Sequence, residues 1–223
     1  MSEFASLHAS DGHPFKAYVS RPSAAPFAAL VVIQEIFGVN AHIRSVADSF
    51  ADDGFLAVAP ALFDRIQPDL ELGYDGADLQ AAMSLIPRID AEKAVLDVAA
   101  SIAFAQKYSG EKVGVVGYCY GGSVAWLAAT RLHPSASVGY YGGQIGKYAA
   151  EKPHCPVMLH FGRQDTHIPP AVAEAVHRAN PDVEIHWYDA GHAFNCDARA
   201  SYNAPAAKLA RQRTLAFLKR NLA

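Results

Sequence analysis

The sequence predicts an α/β chain with a mostly parallel central sheet and helices on both faces, and two observations carry that expectation. Five short runs at 29–33, 55–59, 113–116, 157–161 and 183–187 are mostly apolar, the first four nearly without a break, as strands covered on both sides require. Helical stretches around 41–52, 91–108, 121–131 and 170–180 lie between them, giving the strand-helix alternation of a doubly wound arrangement.

The segment from about 61 to 90 departs from that rhythm. Pro68, Gly73, Gly76 and Pro87 break it, and it reads as a lid-like insertion over a site. A closing helix is expected from about 205 to 219, with Pro205 suited to a first helical position and Ala206, Leu209, Ala210 and Phe217 on one face docking against the sheet. Internal repeats, low-complexity runs and linkers are not apparent, so residues 1–223 read as one domain.

Composition narrows the function classes. At 223 residues, 51% hydrophobic and 18% charged, the chain is long enough for a sizeable core and far from disordered composition. A net charge of -3, from 19 basic and 22 acidic residues without clustering, leaves no footprint for nucleic acid or for an anionic membrane surface. A small, weakly charged molecule is the expected partner, acted on by a monomer or small homo-oligomer. Met1-Ser2-Glu3-Phe4-Ala5 shows no basic region followed by an apolar run, and no segment is apolar for long enough to span a bilayer, so a cytoplasmic protein is expected. Cys119, Cys155 and Cys196 are odd in number and lack zinc-type spacing, which argues for free thiols in a reducing compartment. His154, Cys155 and His160 form no compact ligand set; neither a metal nor another cofactor is expected.

The sharpest local signal is Gly117-Tyr118-Cys119-Tyr120-Gly121-Gly122, placed between a strand and a helix. This is a nucleophile elbow with cysteine where serine usually stands. A tight strand-to-helix turn strains the nucleophile's backbone, and glycines two residues before and after let neighbouring chain pass without a Cβ clash. The turn sets Cys119 at a helix N-terminus and directs the Tyr120 amide toward an oxygen bound beside the sulfur, so thiolate and oxyanion are favoured by the same geometry. Downstream, Asp165 lies just past a strand in Gly162-Arg163-Gln164-Asp165, and His192 sits in the loop Ala190-Gly191-His192-Ala193-Phe194. Nucleophile, acid, histidine is the chain order of the α/β-hydrolase fold. Cys119 would attack a carbonyl carbon, His192 would move the proton, and Asp165 would hold the imidazole and support its cation. Glu35 ends an apolar strand at the edge where such sheets bind ligands. An acid there needs a partner, either a functional one or a base such as Arg44.

These residues resemble the dienelactone hydrolase (carboxymethylenebutenolidase-like) family over nearly the whole chain. The likeness rests on Gln34-Glu35-Ile36-Phe37-Gly38-Val39-Asn40, on Gly117-Tyr118-Cys119, and on Val138-Gly139-Tyr140-Tyr141-Gly142. It implies a hydrolase that opens lactones or cleaves small carboxylic esters. In that reading Glu35 hydrogen-bonds the resting Cys119 thiol and takes its proton, the amides of Ile36 and Tyr120 form the oxyanion hole, and Tyr140 lines the pocket. Phe37 and Tyr74 are further candidates for its aromatic wall. The archetype grips a substrate carboxylate with two arginines, one in the lid and one shortly after the histidine. Here Phe194-Asn195-Cys196-Asp197 follows His192, Arg199 is out of step, and the lid offers Arg65 and Arg88, which points to a neutral lactone or other small ester. The alternatives are a promiscuous carboxylesterase or thioesterase with the same triad, or a redox or binding protein that uses Cys119.

Overall fold

The computed structural model describes residues 1–223. Two compact units make up the chain, Met1–Gly114 and Val115–Ala223. The first contains β1 (Ser2–His8), β2 (Pro14–Ser20), β3 (Ala28–Ile33), α1 (Ala41–Asp52), β4 (Phe55–Pro60), α2 (Gly76–Leu85) and α3 (Ala91–Ser109), and the boundary falls within β5 (Val113–Tyr118). The second contains α4 (Tyr120–Arg131), β6 (Ala136–Tyr140), β7 (Val157–Gly162), α5 (Pro170–Ala179), β8 (Glu184–Tyr188) and α6 (Ala204–Asn221). The strand order is β1-β2-β4-β3-β5-β6-β7-β8 in one eight-stranded sheet. β1 and β2 pair antiparallel, β2 joins β4 antiparallel, and β3 with β4, β6 with β7 and β7 with β8 run parallel.

In the first unit every residue of β3 and β4 is buried, as their unbroken apolar sequences demand. β1 and β2 are absent from the strands expected from the sequence. β1 is mostly exposed and carries Ser, Glu and His among its apolar residues, so it shows no continuous apolar signal. Asn40 caps α1 by accepting the Ile43 N–H (3.2 Å), and Asp90 caps α3 by accepting the amides of Glu92 and Lys93.

The 61–90 segment is partly ordered as α2, flanked by short 3₁₀ turns at Leu62–Arg65 and Ile86–Arg88. Its middle is stitched to the loop after β3. The Leu72 N–H donates to the Phe37 carbonyl (3.0 Å), the Asn40 amide donates to the Leu72 carbonyl (2.9 Å), and Gly38 bridges Glu71. Gly38 has φ 79, and a Cβ there would run into the Leu70 carbonyl, so this contact requires glycine.

Arg65, a candidate substrate arginine, instead ties the unit together. Its guanidinium donates twice to the fully buried Asp97 (2.8 Å each) and twice to Asp11 (2.8 and 3.1 Å). Arg88 donates to the Ile66 carbonyl (3.3 Å).

In the second unit α4 is buried along nearly its whole length and packs on β6. Trp126 is fully buried, and Trp187 is half-buried on β8 with the Arg163 guanidinium over its ring. α6 begins at an Asn203 cap and buries Ala206, Ala210, Thr214 and Phe217. Leu209, placed on that face from the sequence, is exposed. The stripe runs at four-, four- and three-residue steps from Ala206 and leaves Leu209 about 100° off it. No helix is long and apolar enough to cross a membrane.

Candidate active site

Three segments of the second unit bring a sulfur, an imidazole and a carboxylate together. The first is the β5-α4 turn. Cys119 has φ 55 and ψ -115, a conformation an L-residue enters at a cost of about 1–3 kcal/mol. It is held there by hydrogen bonds on both sides: its N–H donates to the Tyr140 carbonyl (3.0 Å), and its carbonyl accepts the Gly122 N–H (3.0 Å). A Cβ on Gly117 would run into the Gly121 carbonyl, and one on Gly122 into the Tyr140 carbonyl. Both positions therefore require glycine for backbone to pass.

The second segment follows β7 and the third follows β8, and backbone bonds lace them together. The Arg163 N–H donates to the Tyr188 carbonyl (2.8 Å) and the Gln164 N–H to the Ala190 carbonyl (3.0 Å). A Cβ on Gly162 would strike Ala190. Asp165 accepts the His167 N–H on Oδ1 (2.8 Å) and the His192 Nδ1–H on Oδ2 (2.8 Å). The other ring nitrogen of His192 lies 3.3 Å from Cys119 Sγ. Of the four non-glycine residues with positive φ, Cys119, Tyr141 and Ala193 lie in the triad or beside it, so backbone strain is concentrated at this site.

The electrostatics follow from that geometry. Burial disfavours a charged His192, but hydrogen bonds to Asp165 and Cys119 outweigh it and raise the imidazole to about 10. Burial likewise opposes ionisation of Asp165, yet its bond to His192 and the His167 amide hold the carboxyl below its usual range. The two directions agree, since each partner favours the other's charged form. At neutral pH the arrangement is an imidazolium between a carboxylate and the sulfur.

The remaining sequence candidates fall as follows. Glu35, two residues beyond β3, is fully buried and neither carboxylate oxygen has a hydrogen-bond partner. Arg44, weighed as its ion partner, binds Glu71 (2.6 Å) and the Val39 carbonyl (2.8 Å). Ile36 follows Glu35 in the same loop, and Tyr120 is the first residue of α4. Phe37 is buried against the partly exposed Tyr74, ring centroids 4.5 Å apart.

Tyr140 and Tyr141 are both wholly buried; the Tyr140 hydroxyl lies 2.6 Å from Thr214 Oγ1, and the Tyr141 ring lies 5.2 Å from that of His192. His167, which stands in no motif of the sequence, sets its ring edge-on to His192 at 5.2 Å. None of the three cysteines forms a disulfide, and burial pushes the Cys155 thiol up to about 12.

The profile of the Dienelactone hydrolase family matches residues 15–222. A carboxymethylenebutenolidase of Pseudomonas putida is 39% identical over 227 residues, covering 98% of this chain and 96% of that one. The chain belongs to the dienelactone hydrolase family. A Klebsiella pneumoniae crystal structure, described as a candidate dienelactone hydrolase, superposes with TM-score 0.86 at 30% identity, covering 98% of this chain and 99% of that one. An esterase of Pyrococcus furiosus has TM-score 0.71 at 17% identity, covering 100% and 92%, which shows the shared α/β-hydrolase fold alone.

Proposed function

We propose that this dienelactone hydrolase family member hydrolyses lactones and small carboxylic esters through a thioester on Cys119. The observation that carries the reading is the imidazole of His192, 2.8 Å from Asp165 on one side and 3.3 Å from Cys119 Sγ on the other. The thiolate attacks the carbonyl carbon, and negative charge moves to the carbonyl oxygen. As the intermediate collapses, the carbon-oxygen bond to the leaving group breaks and the His192 imidazolium gives that oxygen its proton. The neutral imidazole then takes a proton from water, which attacks the thioester. The product acid leaves and the thiolate-imidazolium pair returns. Asp165 keeps Nδ1 protonated throughout and stabilises the cation.

The family resemblance assigns the oxyanion to the amides of Ile36 and Tyr120; the bond from the Cys119 thiol to Glu35 that it also implies is not made in this structure, where the sulfur meets His192 instead. What supports a functional Glu35 is its buried carboxylate with no hydrogen-bond partner, an arrangement that costs stability and that packing alone does not explain. Phe37 and Tyr74 supply an aromatic pair suited to a pocket wall.

The favoured substrate is neutral, because Arg65 is occupied by Asp97 and Asp11. Three cysteines outside any disulfide suit a reducing compartment such as the cytoplasm. Assaying a panel of neutral lactones, aryl esters and thioesters with wild type and Cys119→Ala tests the proposal. Cys119→Ala is expected to be folded and inactive on every substrate the wild type turns over. Undiminished turnover by that variant overturns the nucleophile assignment, and a preference for thioesters overturns the substrate class.

A further inference from the structure

A second polar cluster lies inside the Val115–Ala223 unit, and the mechanism above does not use it. His160, in β7, is fully buried. Its Nδ1 lies 2.8 Å from the Tyr188 hydroxyl at the end of β8, and its Nε2 lies 3.0 Å from Thr214 Oγ1 on α6. Thr214 in turn meets the Tyr140 hydroxyl at the end of β6 (2.6 Å), and Arg213 donates to the Tyr188 hydroxyl (3.2 Å). A neutral imidazole has one donor and one acceptor, and here it meets two hydroxyls that can each play either role, so the cluster is satisfied without charge. Burial, reinforced by the neighbouring His186 and Arg213, pushes His160 well below its usual range and keeps it neutral.

The cluster's importance lies in what its members' backbones do. The Tyr140 carbonyl accepts the Cys119 N–H (3.0 Å), and the next residue, Tyr141, donates its N–H to the His160 carbonyl (2.8 Å) while its ring faces His192. The Tyr188 carbonyl accepts the Arg163 N–H (2.8 Å), joining the loop that carries Asp165 to the strand that leads to His192. The Tyr188 ring also packs on Phe194, two residues past His192 (5.0 Å). Side chains meeting at the His160 imidazole thus join β7 to the end of β8 and to α6, Thr214 extends the link to the end of β6, and the Tyr140 carbonyl passes it to the turn that carries Cys119.

We infer that the His160-Thr214-Tyr140-Tyr188 cluster sets the mutual placement of Cys119, Asp165 and His192, which makes His160 and Thr214 positioning residues for the hydrolysis. This rests on the cysteine-hydrolase reading. Neither residue touches the sulfur, so each acts through the strand ends. A small displacement matters because a misplacement of about 1 Å at a reacting group lowers rates on the order of 100-fold. The raised pKa of His192 depends on the same short distances to Asp165 and Cys119.

The test compares Thr214→Val, which keeps the shape and removes the hydroxyl, with Thr214→Ser, which keeps the hydroxyl. kcat/KM for a neutral aryl ester is measured from about pH 5 to about pH 11, with thermal melts and with Cys119→Ala alongside. Thr214→Val is expected to lose about 10- to 100-fold in kcat/KM, and its alkaline limb is expected to move down by about one pH unit as the His192 contacts loosen. Thr214→Ser is expected to restore both. A Thr214→Val enzyme that melts earlier yet keeps the wild-type rate and pH profile overturns the inference, since a merely structural role moves only the melt. Should Thr214→Val not fold, Tyr188→Phe removes the hydroxyl facing His160 Nδ1, keeps the ring packing, and is judged by the same two outcomes. Full turnover by Cys119→Ala refutes the cysteine reading itself, a result distinct from failure of the clamp.

Discussion

Replacing Asp165 with asparagine tests the electrostatic core of the site in one step. Oδ1 accepts the His167 N–H, which fixes the orientation of the group: the introduced amide would keep its oxygen on that N–H and turn its NH₂ toward His192. Nδ1 must then accept instead of donate, so the ring becomes neutral with its proton on Nε2, facing the sulfur. In the wild type the imidazole is raised from 6.5 to about 10, a difference of about 5 kcal/mol in favour of the cation, shared between Asp165 and Cys119. Losing about half of it lowers the rate on the order of 100-fold, and a wrong tautomer in a serine triad lowers kcat by about 10⁴. Asp165→Asn is therefore expected to reduce kcat/KM by between about 10² and about 10⁴, with its alkaline limb shifted to lower pH and the fold retained. Stopped-flow hydrolysis of an aryl ester across the pH range, with circular dichroism as control, measures both. A folded Asp165→Asn enzyme with wild-type kcat/KM and an unmoved pH profile would refute the reasoning.

Other outcomes follow from the same geometry. Gly117→Ala drives a Cβ into the Gly121 carbonyl, backbone that cannot swing aside, and is expected to abolish soluble expression or lower turnover by more than about 100-fold. Arg65→Ala leaves buried Asp97 unpaired and is expected to destabilise the protein by about 3–5 kcal/mol in urea, while turnover of a neutral ester at 25 °C stays near wild type. A selective loss on carboxylate-bearing substrates in that variant would instead make Arg65 a substrate contact. The His192 cation has a folded pKa above its unfolded value, so the stability it contributes is complete below about 6.5 and lost as pH rises through about 10. Asp165, lowered on folding, contributes above its ordinary range near 3.8 and loses that contribution as pH falls further. The melting difference between wild type and His192→Gln is expected to be greatest between those limits and to shrink on both sides. A difference that grows above about pH 10 would contradict the assignment.

What is legible in the sequence depends on how local each signal is. β3, β4 and β5 are apolar without a break because both faces are covered, and Gly117 marks the Cys119 turn because only a residue without a Cβ lets the Gly121 carbonyl pass so closely. Asp165 and His192 can be chosen by chain order, since each follows a strand that is legible on its own. β6 is not legible in that way: it is five residues long and includes Ser137 and Gly139, so no continuous apolar run marks it. Leu209 is misplaced by a single residue on α6, about 100° of helical rotation. The His160 cluster is out of reach altogether, because residues 140, 160, 188 and 214 are neighbours only through the sheet order and the docking of α6.

Acylation of the Cys119 sulfur during turnover is the step on which the proposed chemistry depends. Acid-quenching the wild type and His192→Ala within the first turnovers of an aryl ester, followed by peptide mass spectrometry, tests it most directly. The acyl mass is expected on the peptide containing Cys119, accumulating in His192→Ala because deacylation loses its base. Steady turnover with Cys119 unmodified at every quench time, or an acyl group on another residue, would contradict it.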